Sequence, residues 1–179
     1  MESTPPHGPQ QNPGSMVGLF WIGAHGTYVG MPPVEPNPGV LLSPAGPQIV
    51  GPAPRQWSWP EVMDLRVTEA PVRSAATRWA TRAATLAMAA LDAWVPGSPT
   101  EMTVVLSSGS DEIKTPVYSG ASSAYTQREV DLSLGLLARM VRGEFSPSAM
   151  SDWWEKTQPD EVLRSRHRVS LLEEWLSAG

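Results

Sequence analysis

Two neighbouring stretches decide the fold: residues 39–51 read GVLLSPAGPQIVG, and residues 57–67 read WSWPEVMDLRV. The first stretch is typical of two short strands joined by a turn at Ser43–Gly46, because proline suits the second position of a type I turn and glycine the fourth. The second stretch alternates between an apolar face and a mixed face. It predicts a strand over 57–68, with Trp57 and Trp59 on the same side.

Similar alternation elsewhere in the chain predicts further strands. The predicted strands cover residues 18–22, 26–30, 39–43, 47–51, 57–68, 102–107 and 112–118. An amphipathic helix over 126–142 follows them, since Thr126 and Glu129 form a capping-box pattern and Gly143 suits the position after a helix end. We therefore expect an α+β fold, with a seven-stranded β-barrel or sandwich capped by a helix.

Composition divides the chain into a central domain and additions to it. Residues 1–16 carry one charge and no large apolar residue besides Met, so we expect a disordered N-terminal arm. The β-rich domain is assigned to residues 17–142, with an inserted alanine-rich helix at 72–95. Residues 143–179 form a C-terminal helical extension, in which Pro147 and Pro159 each lie at the start of a helix.

The charge balance limits the classes of partner. The chain has 13 basic and 18 acidic residues, a net charge of −5, and no Lys or Arg in residues 1–54. Nucleic acids and anionic membranes attract proteins with a positive field, so neither is expected as a partner. The chain has no cysteine, no secretory signal pattern and no apolar stretch of membrane-spanning length. We expect a cytoplasmic protein.

No arrangement of side chains predicts catalysis, a metal site or a cofactor site. His7, His25 and His167 are far apart in the sequence and lack the spacing of metal ligands. Ser107–Asp111 and Gly23–Gly26 are typical of hairpin turns rather than of a nucleophile elbow or a nucleic-acid clamp. We therefore expect a protein that is not an enzyme and that binds no cofactor.

The composition is unusually rich in tryptophan, with eight in 179 residues. Core packing is the first explanation, because indole buries a large area when its N–H finds a partner. Tryptophan is also enriched at interface hot spots, and Trp153 and Trp154, being adjacent on a predicted helix, cannot both face one core. The candidate protein-binding residues are therefore Trp153, Trp154, Trp175 and Leu172. The last helix is structural if it folds back on the domain, and a ligand for a partner's groove if it projects.

The order of seven strands followed by one helix resembles bacterial pleckstrin-homology-like domains, and the preference for Arg over Lys is typical of a GC-rich actinobacterial genome. The stretches GVLLSPAG at 39–46 and WSWPEVMDL at 57–65 are similar to the strand entries of such domains, and the likeness covers residues 17–142. It implies two packed sheets closed at one corner by the C-terminal helix. The helix at 72–95 departs from the family as an insertion. The family's basic phosphoinositide-binding loop has no counterpart here, so the resemblance implies the fold without the lipid binding.

Three hypotheses for function remain open. The first is a non-enzymatic protein-interaction module, an adaptor or regulator, which binds an unknown protein partner through the candidate protein-binding residues. The second is a small-ligand-binding or enzymatic protein with a pocket between the inserted helix and the sheet, lined by Trp79, Arg82, Asp64 and Arg66. The third is a homo-oligomeric structural subunit, assembled through edge strands or terminal helices.

Overall fold

The computed structural model describes residues 14–73, 100–120, 124–159 and 161–178, which form two antiparallel sheets and three α-helices. The large sheet has six strands in chain order: β1 Gly14–Val17, β2 Phe20–Gly23, β3 Gly26–Val29, β4 Gly39–Ser43, β5 Gly46–Val50 and β6 Arg55–Gln56. The small sheet has three: β7 Asp64–Thr68, β8 Glu101–Ser108 and β9 Asp111–Tyr118. The helices are α1 Gln127–Val141, α2 Ser148–Thr157 and α3 Ser165–Ser177.

The predicted hairpin between β4 and β5 is confirmed, and its turn shows why glycine ends it. The Ser43 Oγ accepts the Gly46 N–H at 3.2 Å and donates to the Gly46 carbonyl at 2.8 Å. Gly46 has a φ of +149°, and a side chain there would collide with the Trp57 carbonyl. Glycine therefore lets the chain return beside β5, where the Trp57 N–H donates to the Pro47 carbonyl at 3.1 Å.

Side-chain alternation divides the large sheet into two faces. The inner face carries buried apolar residues that belong to one hydrophobic core: Val17, Phe20, Ile22, Val29, Val40, Leu42 and Ile49. The small sheet and the helices supply the rest of that core, including Leu65, Met102, Leu137 and Leu172. Because successive strand residues point to opposite sides, the residues between the inner-face positions of β2–β5 lie on the outer face. On the edge strand β1, Met16 still packs against the core.

Helix α1 confirms the predicted helix over 126–142 to within one residue at each end. The Thr126 Oγ1 accepts the Glu129 N–H at 3.2 Å, and the Glu129 carboxylate accepts the Thr126 N–H at 2.8 Å. Gly143 follows the last turn with a φ of +71°. The helix packs against β7 and against a 3₁₀ turn at Trp59–Glu61. Local capping signals were sufficient to place this element.

The prediction of one continuous strand over 57–68 is wrong. Residues Trp59–Glu61 form the 3₁₀ turn, and β7 begins at Asp64. Pro60 has no N–H for a strand ladder. The Glu61 carboxylate accepts the Ser58 N–H at 2.7 Å, which stabilises the turn as a capping box. Trp57 and Trp59 are therefore not neighbours on one strand face, although both pack half-buried against the core.

Three other boundaries differ from the sequence-based expectation. Strand β1 begins at Gly14, so the expected disordered arm over 1–16 is wrong for its last three residues, and residues 1–13 lie outside the described residues. The predicted inserted helix over 72–95 does not begin at Val72, which instead forms a parallel bridge with Tyr125. Arg73 is not helical either, and residues 74–95 of that prediction also lie outside the described residues. The last helix begins at Ser165 and not at Pro159.

The α+β class is confirmed, whereas a closed seven-stranded barrel is not observed. The described residues form nine strands in two separate sheets. The two added strands are β1 and β6, and each is too short for an alternation pattern to reveal it: β1 has four residues and β6 has two. Both gain their strand geometry from the neighbouring strand with which they pair.

Candidate interaction surface

The residues predicted to bind a partner lie mostly in the core. Leu172, Trp154 and Trp175 are 0%, 5% and 6% exposed. Trp153 is half-buried, with its ring centroid 5.9 Å from that of Trp175 in an edge-to-face arrangement. A partner-binding role for these residues stays a prediction. For Leu172 and Trp175 it would require α3 to leave the core, and for Trp154 it would require α2 to leave it.

Helix α3 is held at both ends, so the alternative of a projecting last helix is wrong. Near its start, the Arg168 Nε donates to the Glu129 carboxylate at 2.6 Å. At its end, the Arg139 guanidinium donates to the Leu176 and Ala178 carbonyls, the second at 3.2 Å. A cation at a helix C-terminus bonds carbonyls that have no partner within the helix. Helix α3 is therefore part of the domain.

The Glu129 carboxylate, at the start of α1, links α1 to α3. Its side chain is fully buried, and burial on its own would raise its pKa. The hydrogen bonds from Arg168 and from the Thr126 N–H and hydroxyl outweigh burial and lower the pKa below its ordinary value. Glu129 therefore stays ionised at neutral pH and holds both the first turn of α1 and the guanidinium of Arg168.

The outer face of the large sheet carries a row of large side chains in consecutive strands. Trp21 pairs with Tyr28, Tyr28 pairs with Leu41, and Leu41 pairs with Gln48. All four are half-buried. Among the described residues, Trp21, Tyr28 and Leu41 belong neither to the hydrophobic core nor to the half-buried set that packs against it. We call this set of four residues, Trp21–Tyr28–Leu41–Gln48, the outer row.

Glycines beside the outer row keep its side chains flat against the sheet. A side chain at Gly14 would occupy the space of the Trp21 indole. Leu41 covers Gly26 in the same way. The Trp21 and Leu41 side chains therefore lie over the backbone of neighbouring strands, where a side chain larger than glycine's would not fit.

The outer face also lies in the least charged part of the chain. Between Gly14 and Pro54, the sequence contains one charged residue, Glu35. Glu35 lies in the loop between β3 and β4, away from the outer row. Apolar and aromatic side chains without nearby charge are characteristic of the central part of a protein–protein interface.

The pocket residues predicted for a ligand-binding or enzymatic protein do not form a site in the described residues. Asp64 and Arg66 form an ion pair on the small sheet, and Arg66 also bonds Glu112 at 3.2 Å. These side chains are each more than 40% exposed. Trp79 and Arg82 fall outside the described residues. The Asp64–Arg66–Glu112 group is a solvated surface network.

The histidines give no metal centre within the part of the chain that the structure describes. His25 is exposed in the turn between β2 and β3, and His167 is exposed on α3. His7 lies outside the described residues. Across the described ranges, no three or more histidine, aspartate or glutamate side chains converge as metal ligands would.

Sequence reasoning missed the outer row because it treated each hairpin separately. The signal that could have found part of it is register: the turn at 24–25 sets Trp21 opposite Tyr28, and the turn at 44–45 sets Leu41 opposite Gln48. The pairing of Tyr28 with Leu41 depends on how β3 and β4 align across a longer loop. Each of the four residues is next in its strand to an inner-face residue such as Ile22, Val29 or Leu42, and therefore points to the outer face.

Comparison with known proteins assigns no family. The chain matches no family model, no curated protein and no solved structure. Among the described helices, none is both long and apolar enough to cross a membrane.

Proposed function

We propose that this chain is a non-enzymatic protein-interaction module, and that its partner docks on the outer face of the large sheet. The observation that carries the proposal is the outer row, a Trp–Tyr–Leu sequence of cross-strand pairs in a part of the sheet, β1–β5, whose strands contain no charged residue. Tryptophan and tyrosine supply most binding energy at interfaces when a partner excludes water from them. The sequence analysis expected an aromatic surface around Trp153, Trp154 and Trp175, whereas this proposal uses Trp21 and Tyr28 instead.

The chemistry and size of the face favour a short apolar segment of another protein as the occupant. A charged segment would lose its hydration against Trp21 and Leu41 without meeting an opposite charge. Five strands about 4.8 Å apart and about 14 Å long give a face on the order of 300 Å². A stable dimer needs about 800 Å² from each partner, so two copies of this chain packed through this face alone would bind too weakly.

A pleckstrin-homology-like fold is the finer architecture that we propose for this module. Two antiparallel sheets followed in the chain by helix α1 support it, as does the packing of α1 against β7. Nine strands and two additional helices would then be elaborations of that fold. Interaction modules of many kinds share such scaffolds, so the proposed function depends on the outer row and not on the fold.

Site-specific photocrosslinking tests the proposed function. A Gln48→benzoylphenylalanine variant places the crosslinker at the last position of the outer row, and an Asp152→benzoylphenylalanine variant places it at an exposed position of α2 as a matched control. In lysate of the source organism, we expect a protein adduct at position 48 that is absent at position 152. Adding Tyr28→Asp should abolish the adduct, because it puts a charge in the outer row.

Several results would contradict the proposal. They are the absence of an adduct at position 48, equal adducts at positions 48 and 152, and an adduct that survives Tyr28→Asp. An adduct made of two copies of this chain would instead support the homo-oligomer hypothesis. Circular dichroism and a thermal melt establish that each variant is folded.

A further inference from the structure

An opening lies between the two sheets, at the free edge of the small sheet. It has a volume of about 280 Å³ and apolar walls that include Pro38, Ile49, Pro52, Ile113 and Pro116. The opening exists because β9 pairs only with β8 in the described sheets, while β6 is two residues long and does not extend the large sheet across it. We refer to this opening as the edge groove.

Two cationic residues line the edge groove, Arg55 from the large sheet and Lys114 from the small sheet. The lining of the edge groove contains no carboxylate. Arg55 lies on β6, with its guanidinium carbon 5.8 Å from the centroid of the Trp57 ring. No carboxylate lies within ion-pair distance of Arg55 among the described residues. The ring therefore positions the guanidinium without neutralising it.

Lys114 is already partly neutralised. Its Nζ lies 3.4 Å from the Glu112 carboxylate, which is also bonded to Arg66 at 3.2 Å. The edge groove thus presents one free positive charge and a second that is shared with Glu112. A single negative charge matches this arrangement better than a double one.

We propose that the edge groove binds a small amphiphilic carboxylate, with its carboxylate at Arg55 and its apolar body between Ile49 and Ile113. Guanidinium groups bind carboxylates through two parallel hydrogen bonds, and the apolar walls remove the hydrocarbon part from water. The volume is at the lower limit of pockets for drug-sized ligands, about 300 Å³, which restricts the ligand to a short chain or a single ring.

Isothermal titration with octanoate and octanamide tests this site, because the two probes share a hydrocarbon chain and differ in charge. We expect saturable binding of octanoate and at least about tenfold weaker binding of octanamide, since a hydrogen bond to a charged group contributes about 1.5–3 kcal/mol. Arg55→Gln should lower octanoate affinity to the octanamide level. Lys156→Gln, which removes an exposed cation on α2, should leave the affinity unchanged.

The proposal is overturned if octanoate does not bind, if both probes bind equally, or if Arg55→Gln and Lys156→Gln have the same effect. Tyr28→Asp separates this site from the proposed protein-interaction surface. It should leave octanoate binding unchanged, because Tyr28 does not line the edge groove. Failure of photocrosslinking at Gln48 and failure of octanoate binding are therefore independent results.

Discussion

Helix α3 and the outer face of the large sheet both carry large aromatic and aliphatic side chains, but they differ in what covers those side chains. Trp175 and Leu172 of α3 are buried in the core, and Arg168 anchors the helix to α1. Trp21 and Tyr28 of the outer row lie on the side of the sheet that faces away from that core. Residue type therefore does not separate the proposed docking surface from the core here, whereas strand register and helix anchoring do.

Truncating one leucine in each region should give the largest difference between them in the free energy of unfolding. Leu172→Ala removes a fully buried side chain and should lower the free energy of unfolding by about 3 kcal/mol, because it leaves a cavity. Leu41→Ala, in the outer row, should lower it by less than about 1 kcal/mol. Urea unfolding of both variants measures the difference. Equal losses would mean that the outer row is as tightly packed as the core.

A matched pair of arginine substitutions tests the anchor of α3. Arg168→Met leaves the buried Glu129 carboxylate without its cation and should cost about 2 kcal/mol in unfolding free energy. Arg128→Met breaks the exposed pair with Glu173, 2.7 Å apart, and should cost less than about 1 kcal/mol. Urea midpoints of the two variants decide the point. If Arg128→Met lowers the unfolding free energy as much as Arg168→Met or more, the buried Arg168–Glu129 pair is not what anchors α3.

The smallest expected effect is the acid dependence of the same anchor. The folded-state pKa of Glu129 is lowered, so the unfolded chain binds the proton more readily than the folded protein does. The contribution of Glu129 is fully present above its ordinary pKa of 4.5 and is lost as the pH falls through the lowered folded-state value. The stability difference between the parent chain and Glu129→Gln should therefore narrow on acidification. A difference that widens toward low pH would contradict this sign.

Local sequence signals were sufficient for some elements and not for others. The cap of α1 could be predicted because Thr126 and Glu129 are three residues apart and bond to each other. The turn at Ser43–Gly46 is local in the same sense. The strand over 57–68 was predicted wrongly because the prediction used alternation alone. Pro60 and the local capping box both favour a turn over a strand at this point.

The features that carry the proposals are long-range and were not predictable from local pattern. The contact of Arg168 with Glu129 joins residues 39 positions apart, and those of Arg139 with the end of α3 join residues up to 39 apart. The outer row needs the register of four strands at once. The edge groove needs the relative position of two sheets, which no periodicity in either sheet encodes.

Thiol labelling tests most directly the claim that the outer face is accessible while α3 belongs to the core. The chain has no cysteine, so Leu41→Cys and Leu172→Cys each introduce a single thiol. Under native conditions, Leu41→Cys should react with a thiol reagent at least about a hundredfold faster, because a buried thiol reacts only after the structure opens. Equal rates, or faster labelling of Leu172→Cys, would contradict the account.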